Sequence, residues 1–477
     1  MLFCLLAAAL AGWTDDAERD ALLKKADASV AAAAKKATFD AQRPTYHVMP
    51  AANWLNDPNG PLFHDGVYHL FFQHNPYGDA WGHMHWAHVR SKDLVNWERL
   101  PIALWPSLKA GEEHVFSGSA GKLADGTPIL FYTSIGKRLP EQWAAIPEDK
   151  DLLKWKKHPA NPILTEKHHG ATKVWEWSDP YFFRHEGKAY LVVGGNLNET
   201  KGGKGCVELY EAEDPSLAKW KHRGTLFVHP DKEAKNIECP IFFALGGKHV
   251  LLTSAYRTPE YFVGKFEPKA GKFLVESRGT VDPGAFYAPS TLVEDDGRCV
   301  MWGWIRDFRN GMGWNGCLTL PRVLSLSPGG KLMQTPLPKL ATLRDKSVGP
   351  TDMKVDAETP LELGGPGLEF SATIALKEAR AAGVTLRRSG DGMRAVRIKW
   401  DGKELDVSGT KVPAAGPTLD LRVYVDGMVT EVYAGGLAVS RVFDAKANDT
   451  GFAVWAEDGA ANFDKATLWT LKSIWKE

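Results

Sequence analysis

The amino-acid sequence predicts an all-β fold: a five-bladed β-propeller followed by a C-terminal β-sandwich. Three observations lead to this prediction. A hairpin pattern recurs five times before residue 340, short alternating strands fill the chain after it, and 477 residues exceed what one ordinary core accommodates. We therefore expect a propeller domain over residues 43–339, and a linker with a sandwich domain over residues 340–477.

The first 42 residues precede the repeats and contain two different segments. An apolar run from Leu2 to Ala11 ends in Ala-Leu-Ala, which resembles a signal-peptidase site. Residues 1–11 are therefore expected to be a signal peptide, and the protein to be secreted or periplasmic. No Lys or Arg precedes the run, so a merely apolar terminus is the alternative. Residues 12–42 are rich in Ala, Lys and Asp, which predicts an exposed helix or a mobile leader.

Five glycines mark the recurring hairpin. Each one precedes an alternating apolar strand, which is the pattern of a β-hairpin turn. The glycines are Gly66, Gly126, Gly187, Gly247 and Gly297, at intervals of 60, 61, 60 and 50 residues. A long sandwich, or two sandwiches, would also contain many strands. Sandwich strands recur about every 8–12 residues and lack a further period of 50–60 residues. The regular interval therefore favours a propeller of five blades.

Three carboxylates occupy equivalent positions in this repeat. Asp57, Asp179 and Glu238 lie eight or nine residues before their hairpin glycines, and the same offset leads to Ser117 and Ala288 in the other two copies. The first strand of each propeller blade lines the central axis, so equivalent ends of these strands converge. We therefore predict that the three acids face one another in one funnel. The alternative for the two aspartates is that Asp-Pro is a turn device.

Clustered carboxyl groups in a low-dielectric funnel predict cleavage of a glycosidic bond. Mutual repulsion and desolvation raise at least one pKa, which separates a proton donor from a base or nucleophile. Retaining glycosidases hold two such groups about 5–5.5 Å apart, so that one of them attacks the anomeric carbon directly. This chemistry requires no cofactor.

A metal site is the rival interpretation of grouped acids, because hard cations prefer oxygen ligands. The sequence contains no Asp-rich calcium loop. His83, His85 and His88 have no further ligand at a spacing typical of zinc, and period-two geometry places His88 on the opposite strand face from the other two. We therefore predict no bound metal and interpret these histidines as packed or hydrogen-bonded strand residues.

Composition points to a sugar as the partner. The 58 basic and 58 acidic residues balance, so there is no electrostatic reason to expect nucleic acid or an anionic membrane. The 18 tryptophans suit a carbohydrate site, because indole rings stack on the apolar faces of sugars. The alternative is that these tryptophans simply fill large β cores. The oligomeric state is not indicated.

Ordered motifs continue along nearly the whole chain after Arg43. They read NWLNDPNG, FSGSA, WSDP, IECP, DPGAFYAPST and GWNGCLTLPR. In sequence and order they resemble glycoside hydrolase family 32, the β-fructofuranosidases, which include invertases, levanases and inulinases. The resemblance implies a five-bladed propeller with a sandwich. It also implies hydrolysis of sucrose, levan or inulin with retention of configuration, through a covalent fructosyl-enzyme.

The resemblance also implies roles for individual residues. Asp57 would be the nucleophile, Glu238 the general acid/base, and Asp179 a ligand of fructose hydroxyls that stabilises the oxocarbenium-like transition state. Other residues fall on family positions that line the fructose subsite, and these are Asn56, Gln73, Trp81, Phe116 and Ser117.

Ser178 departs from the family pattern, which reads Arg-Asp-Pro where this chain reads Ser178-Asp179-Pro180. Arg carries a fixed charge and a rigid fork of donors, so its loss should raise neighbouring carboxyl pKa values. We expect weaker action on fructose, a different furanoside, or recruitment of another cation such as Lys173. A non-catalytic furanoside-binding propeller and a fructosyltransferase remain as alternatives.

The chain after residue 340 reads as short alternating strands, including LEFSATIAL and LDLRVYVDGMVTEVYAGG. A sandwich of this kind is expected to support the propeller structurally. Carbohydrate binding is the alternative, since fold alone does not decide function.

Overall fold

The computed structural model describes residues 16–197 and 203–475, so the expected signal peptide over residues 1–11 lies outside the described chain. The described residues contain one α-helix, three short 3-10 helices and 34 β-strands, as an all-β fold requires. Within these two ranges, no helix combines the length and the apolar character that crossing a bilayer demands. The 3-10 helices are Leu108–Ala110, Glu166–His169 and Pro338–Leu343.

Helix α1 spans Asp16–Ala37 and begins with acidic and ends with basic residues, which suits the helix dipole. It lies against the outer strand of the first sheet. One face of its last turns is covered, because Ala37 is fully buried and Ala33 and Ala34 pack against a large hydrophobic core. The leader segment therefore contains a docked helix.

Five antiparallel sheets follow one another along the chain, and each is built from consecutive strands. The first sheet contains β1 Asn53–His64, β2 Val67–Asn75, β3 His85–Ser91 and β4 Trp97–Leu104. The second contains β5 His114–Lys122, β6 Pro128–Ile135, β7 Glu141–Pro147 and β8 Trp155–Lys157. The third contains β9 Val174–His185, β10 Lys188–Leu197, β11 Lys204–Ala212 and β12 Trp220–Val228.

The fourth and fifth sheets complete this series. The fourth contains β13 Glu238–Leu245, β14 Lys248–Ser254, β15 Glu260–Glu267 and β16 Lys272–Thr280. The fifth contains β17 Phe286–Val293, β18 Cys299–Ile305, β20 Cys317–Leu318, β21 Arg322–Leu326 and β22 Leu332–Pro336. The short β19, Trp314–Asn315, lies between β18 and β20 in sequence but belongs to the first sheet, where it pairs in parallel with β1.

The predicted hairpin glycines connect the first and second strands of the five sheets. All five have φ between 77° and 88°, a left-handed conformation that glycine adopts without steric cost. The first strands β1, β5, β9, β13 and β17 contact one another in succession, and β17 also contacts β1. The five first strands are therefore neighbours in a closed series.

The C-terminal part forms two six-stranded sheets that share one hydrophobic core. Phe370 of one sheet and Phe452 of the other lie with ring centroids 5.0 Å apart in this core. One sheet contains β23 Arg344–Val355, β25 Gly367–Ala375, β30 Leu419–Asp426, β31 Val429–Ala434, β32 Leu437–Val442 and β34 Ala461–Leu471. The other contains β24 Thr359–Pro360, β26 Ala381–Arg388, β27 Val396–Trp400, β28 Glu404–Val407, β29 Thr410–Pro413 and β33 Gly451–Glu457.

A buried ionic network joins the two parts of the molecule. Arg322 donates hydrogen bonds to Glu431 at 2.6 Å and to Asp282 at 3.0 Å. His47 lies between Asp426, at 2.8 Å, and Glu431, at 3.1 Å. Burial alone would lower the pKa of His47, but its hydrogen bonds to these two carboxylates raise it to about 9. Burial would raise the pKa of Glu431, but Arg322 and His47 bring it to about 2.

Candidate active site

The first strand of each of the five N-terminal sheets is irregular near its predicted funnel position. Pairing with the second strand shifts register between Leu55 and Pro58, between Val115 and Gly118, and around Ser178 opposite Gly194. The other two shifts lie just after Glu238 and just after Tyr287. A bulge re-aims side chains that regular pairing would fix, so each strand can direct its funnel residue towards the axis.

Asp57 is held by two side chains that the sequence also predicted. Its Oδ2 accepts hydrogen bonds from the Ser117 hydroxyl at 2.6 Å and from the Gln73 amide at 3.2 Å. Gln73 donates a further hydrogen bond to Ser117. These contacts orient one carboxylate oxygen and leave the other available for chemistry.

Asp179 lies buried beside Asp57 with a left-handed φ of 65°. Its backbone N–H donates to Thr133 Oγ1 at 2.8 Å, and its Oδ2 accepts from the Cys239 backbone N–H at 2.9 Å. A left-handed non-glycine residue costs roughly 1–3 kcal/mol, which these contacts help to offset. Burial raises the pKa of Asp179 to about 6, the Cys239 N–H opposes the rise, and the Asp57 charge adds to it.

Glu238 opens strand β13 and accepts a hydrogen bond on Oε2 from the Tyr287 hydroxyl at 2.7 Å. Burial raises the pKa of Glu238 to about 8, and the nearby charges of Asp179 and Asp57 contribute in the same direction. The Tyr287 hydrogen bond partly opposes this rise. The raised pKa therefore favours the protonated form of Glu238 near neutral pH.

Cys239 joins the acids into one cluster. Its Sγ lies 3.6 Å from Oδ2 of Asp57 and 3.6 Å from Oδ2 of Asp179. Because Glu238 precedes this cysteine and senses both aspartates electrostatically, the three predicted carboxylates meet in one place. Two of them, Asp179 and Glu238, carry raised pKa values, so the cluster favours retention of a proton.

The remaining predicted residues surround this cluster in different ways. Asn56 is buried and accepts a hydrogen bond from Trp54 Nε1 at 2.7 Å. Trp81 is 52% exposed, and its ring lies edge-on to Phe116 with centroids 6.1 Å apart. These two rings offer an apolar wall at the surface.

Ser178 and Lys173 are placed differently from one another. Ser178 is partly buried and hydrogen-bonds the adjacent Asp179, which favours the charged aspartate. Lys173 is exposed, and no hydrogen bond or ion pair in the described chain joins it to the three carboxylates. The cation suggested for the site is therefore not in contact with it.

The sequence did not single out Tyr287, Cys239, Thr133 or Trp54. Two of them carried a usable signal, because Tyr287 and Cys239 adjoin the equivalent repeat positions Ala288 and Glu238. Thr133 lies on β6, the second strand of its sheet, and the repeat offset identifies only positions on the first strands.

The three histidines considered for zinc lie in separate surroundings of the first sheet. His88 Nε2 is 2.9 Å from His69 Nδ1, and His85 Nδ1 is 2.5 Å from the His83 carbonyl oxygen. Over residues 16–197 and 203–475, no group of three or more His, Cys, Asp or Glu side chains is arranged to hold a metal ion.

Two family models match this chain almost end to end. The model of the glycosyl hydrolases family 32 N-terminal domain matches residues 47–336, and that of the family 32 C terminal matches residues 339–470. The chain belongs to glycoside hydrolase family 32. Helix α1 precedes both matched regions.

Relatives in family 32 agree with this assignment. The sucrose-6-phosphate hydrolase of Zymomonas mobilis is 31% identical, over 94% of this chain and 96% of its own. The cell wall isozyme of β-fructofuranosidase from Zea mays is 33% identical, over 69% of this chain and 60% of its own. The solved structure of the family 32 β-fructofuranosidase of Bombyx mori superposes with a TM-score of 0.81 at 25% identity, over 96% of this chain and 100% of that chain. The predicted family and the predicted fructofuranosidase activity are confirmed.

Proposed function

We propose that this family 32 glycosidase hydrolyses β-fructofuranosidic bonds with retention, with Asp57 as nucleophile and Glu238 as general acid/base. The convergence of Asp57, Asp179 and Glu238 around Cys239 carries this proposal. Asp57 and Glu238 come from different sheets, so the two carboxyl groups can approach a bound sugar from different sides.

In the first step, the free carboxylate oxygen of Asp57 attacks the anomeric carbon of the fructosyl unit. Glu238, protonated at neutral pH because its pKa is about 8, gives its proton to the leaving oxygen. Bond formation removes the Asp57 charge, so Glu238 loses a repelling neighbour and its pKa falls. In the second step the ionised Glu238 takes a proton from water while the water oxygen bonds to the anomeric carbon. The bond between that carbon and Asp57 breaks, which releases fructose and restores the Asp57 carboxylate and the protonated Glu238.

Asp179 is proposed to hold fructose hydroxyl groups. Charge-assisted hydrogen bonds from such groups strengthen as positive charge develops on the ring, which is preferential binding of the transition state. Five further residues are proposed to complete the fructose subsite, with Ser178 beside it: Asn56, Gln73, Ser117, Trp81 and Phe116. The two aromatic rings would contact apolar faces of the sugar.

For the architecture, we propose that the five sheets are blades of a propeller over residues 43–339. The successive contacts of their first strands, from β17 back to β1, support this arrangement. The shared core of the two six-stranded sheets supports a sandwich within residues 340–477. Secretion stays a prediction from the apolar residues 2–11 alone.

The decisive experiment measures fructose released from sucrose, sucrose 6-phosphate, levan and inulin by the purified protein. The phosphorylated substrate is included because relatives carry the name sucrose-6-phosphate hydrolase. Free fructose, lost in Asp57→Asn, supports hydrolysis, whereas longer fructosides without free fructose identify a fructosyltransferase. Binding without any product would identify a non-catalytic sugar binder. With methanol as acceptor, retention requires methyl β-fructofuranoside as the product.

A further inference from the structure

Arg306 occupies an unusual position at the active-site end of the fifth sheet. It directly follows β18, where Trp304 pairs with Tyr287. Its guanidinium carbon lies 4.7 Å from the centroid of the Tyr287 ring, and the hydroxyl of that ring donates to Glu238. Arg306 is thus one aromatic side chain away from the proposed acid/base.

Among the residues that the structure describes, the guanidinium of Arg306 makes no ion pair with a carboxylate. No ion pair within residues 16–197 and 203–475 includes it, and its buried Nε has no hydrogen-bond partner. Arg309, three residues later, behaves differently: it pairs with Asp444 of the C-terminal part at 2.7 Å, and both side chains are exposed. Arg309 makes an ordinary surface ion pair, whereas Arg306 makes no ion pair among the described residues and lies over the ring of Tyr287.

We propose that Arg306 provides, from the fifth sheet, the positive charge that Ser178 does not provide from the third. It is a positioning residue that acts on Glu238 through Tyr287, and this inference rests on the proposed role of Glu238. A cation over an aromatic face attracts ring electron density, which makes the phenol a stronger hydrogen-bond donor. Both this effect and direct attraction favour the ionised form of Glu238.

The surroundings of Glu238 explain why such a charge is useful. The titratable groups that face Glu238 and Tyr287 are Asp57, Asp179, Cys239 and Tyr256, and Glu176 accepts a hydrogen bond from Tyr256 at 3.1 Å. None of these groups is a cation, and the carboxylates repel a charge on Glu238. A base that stays protonated cannot activate water, so a neighbouring cation helps the second chemical step.

The test compares the pH dependence of kcat/KM for fructose release by four variants and the wild type. The variants are Arg306→Gln, Arg306→Lys, the double variant Ser178→Arg/Arg306→Gln, and the control Arg309→Gln. The fall of kcat/KM at alkaline pH, the alkaline limb of the profile, reports loss of the proton from Glu238. Loss of one nearby charge should move that limb upward by about 0.5–1 pH unit in Arg306→Gln.

The other variants distinguish charge from packing. Arg306→Lys keeps the positive charge, so the alkaline limb of its kcat/KM profile should lie at the wild-type pH. The control Arg309→Gln should also leave the position of this limb unchanged. The double variant returns an arginine to the third sheet and should move the limb back. The proposal is overturned if folded Arg306→Gln keeps the wild-type limb, or if the double variant stays like Arg306→Gln.

A separate measurement keeps this inference distinct from the proposed function. If the wild type releases no fructose from any substrate, the proposed function fails. The pKa of Glu238 is then measured by carbon-13 NMR of labelled glutamate side chains, with Glu238→Gln used to assign the signal. An equal pKa in wild type and Arg306→Gln refutes the electrostatic coupling, and a rise of about half a unit or more supports it.

Discussion

The buried Glu431 allows a quantitative test of how the C-terminal part supports the catalytic part. Its carboxylate accepts hydrogen bonds from Arg322, His47, the backbone N–H of Leu320 at 2.6 Å and Tyr433 at 2.7 Å. Both Glu431 and Arg322 have fully buried side chains. In Glu431→Gln, Arg322 retains only Asp282 as a charged partner.

Removing one partner of a buried ion pair typically costs about 3–5 kcal/mol, because the remaining charge is left without compensation. We therefore expect Glu431→Gln to lower the free energy of unfolding by about that amount. The matched control is Asp444→Asn, which breaks the Arg309 pair between the same two parts of the molecule. Because that pair is exposed, its loss should cost about 0–1 kcal/mol.

The assay is scanning calorimetry combined with residual fructosidase activity after heating. We expect the transition of Glu431→Gln to move to a markedly lower temperature, with activity lost in parallel, while Asp444→Asn stays near the wild type. Equal shifts in the two variants would refute the argument that burial makes this network important. A shift in Glu431→Gln without earlier loss of activity would show that the catalytic part does not depend on the junction.

Four further predictions concern individual ionisable groups. Tyr287→Phe removes a hydrogen bond to a carboxylate, so the pKa of Glu238 should rise by about 1–2 units, read from the alkaline limb of kcat/KM; an unchanged limb would contradict the contact. Asp57→Asn should reduce fructose release by at least about 10⁴-fold while the protein still binds substrate in calorimetry, and residual activity near wild type would exclude Asp57 as nucleophile. Ser178→Arg should move the alkaline limb downward and alter substrate preference across sucrose, levan and inulin; no change in either would show that this position does not tune the site. His47 has its pKa raised from 6.5 to about 9, so its stabilisation is complete below pH 6.5 and disappears as pH rises through 9; His47→Gln should flatten the decline of melting temperature between these values.

The repeat made much of this site readable from the sequence. Period-two strands and turn glycines are local signals, and all five predicted glycines connect the expected strands. Because the acids lie eight or nine residues before those glycines, their convergence could be predicted from the repeat. The irregular pairing near each acid was not foreseen, since a bulge leaves no distinct mark in the residue pattern.

Contacts between sheets were harder to predict. Tyr287 reaches Glu238 from a neighbouring sheet, and such a contact depends on packing and rotamers rather than on spacing. For the same reason the sequence suggested Lys173 as a compensating cation, whereas the structure places Arg306 over the ring of Tyr287, whose hydroxyl donates to Glu238. The raised carboxyl pKa values agree with the absence of an arginine at position 178, yet burial is their largest cause.

The short parallel pairing of β19 with β1 has a consequence for how the enzyme matures. Trp314 and Asn315 lie beside Asn53 and Trp54, only a few residues before the proposed nucleophile Asp57, although some 260 residues of chain separate them. During synthesis, the segment that carries Asp57 leaves the ribosome long before its second neighbour exists. A nascent or truncated chain that ends before residue 314 therefore lacks the parallel pairing of β19 with β1, and it should be inactive even with all three acids present.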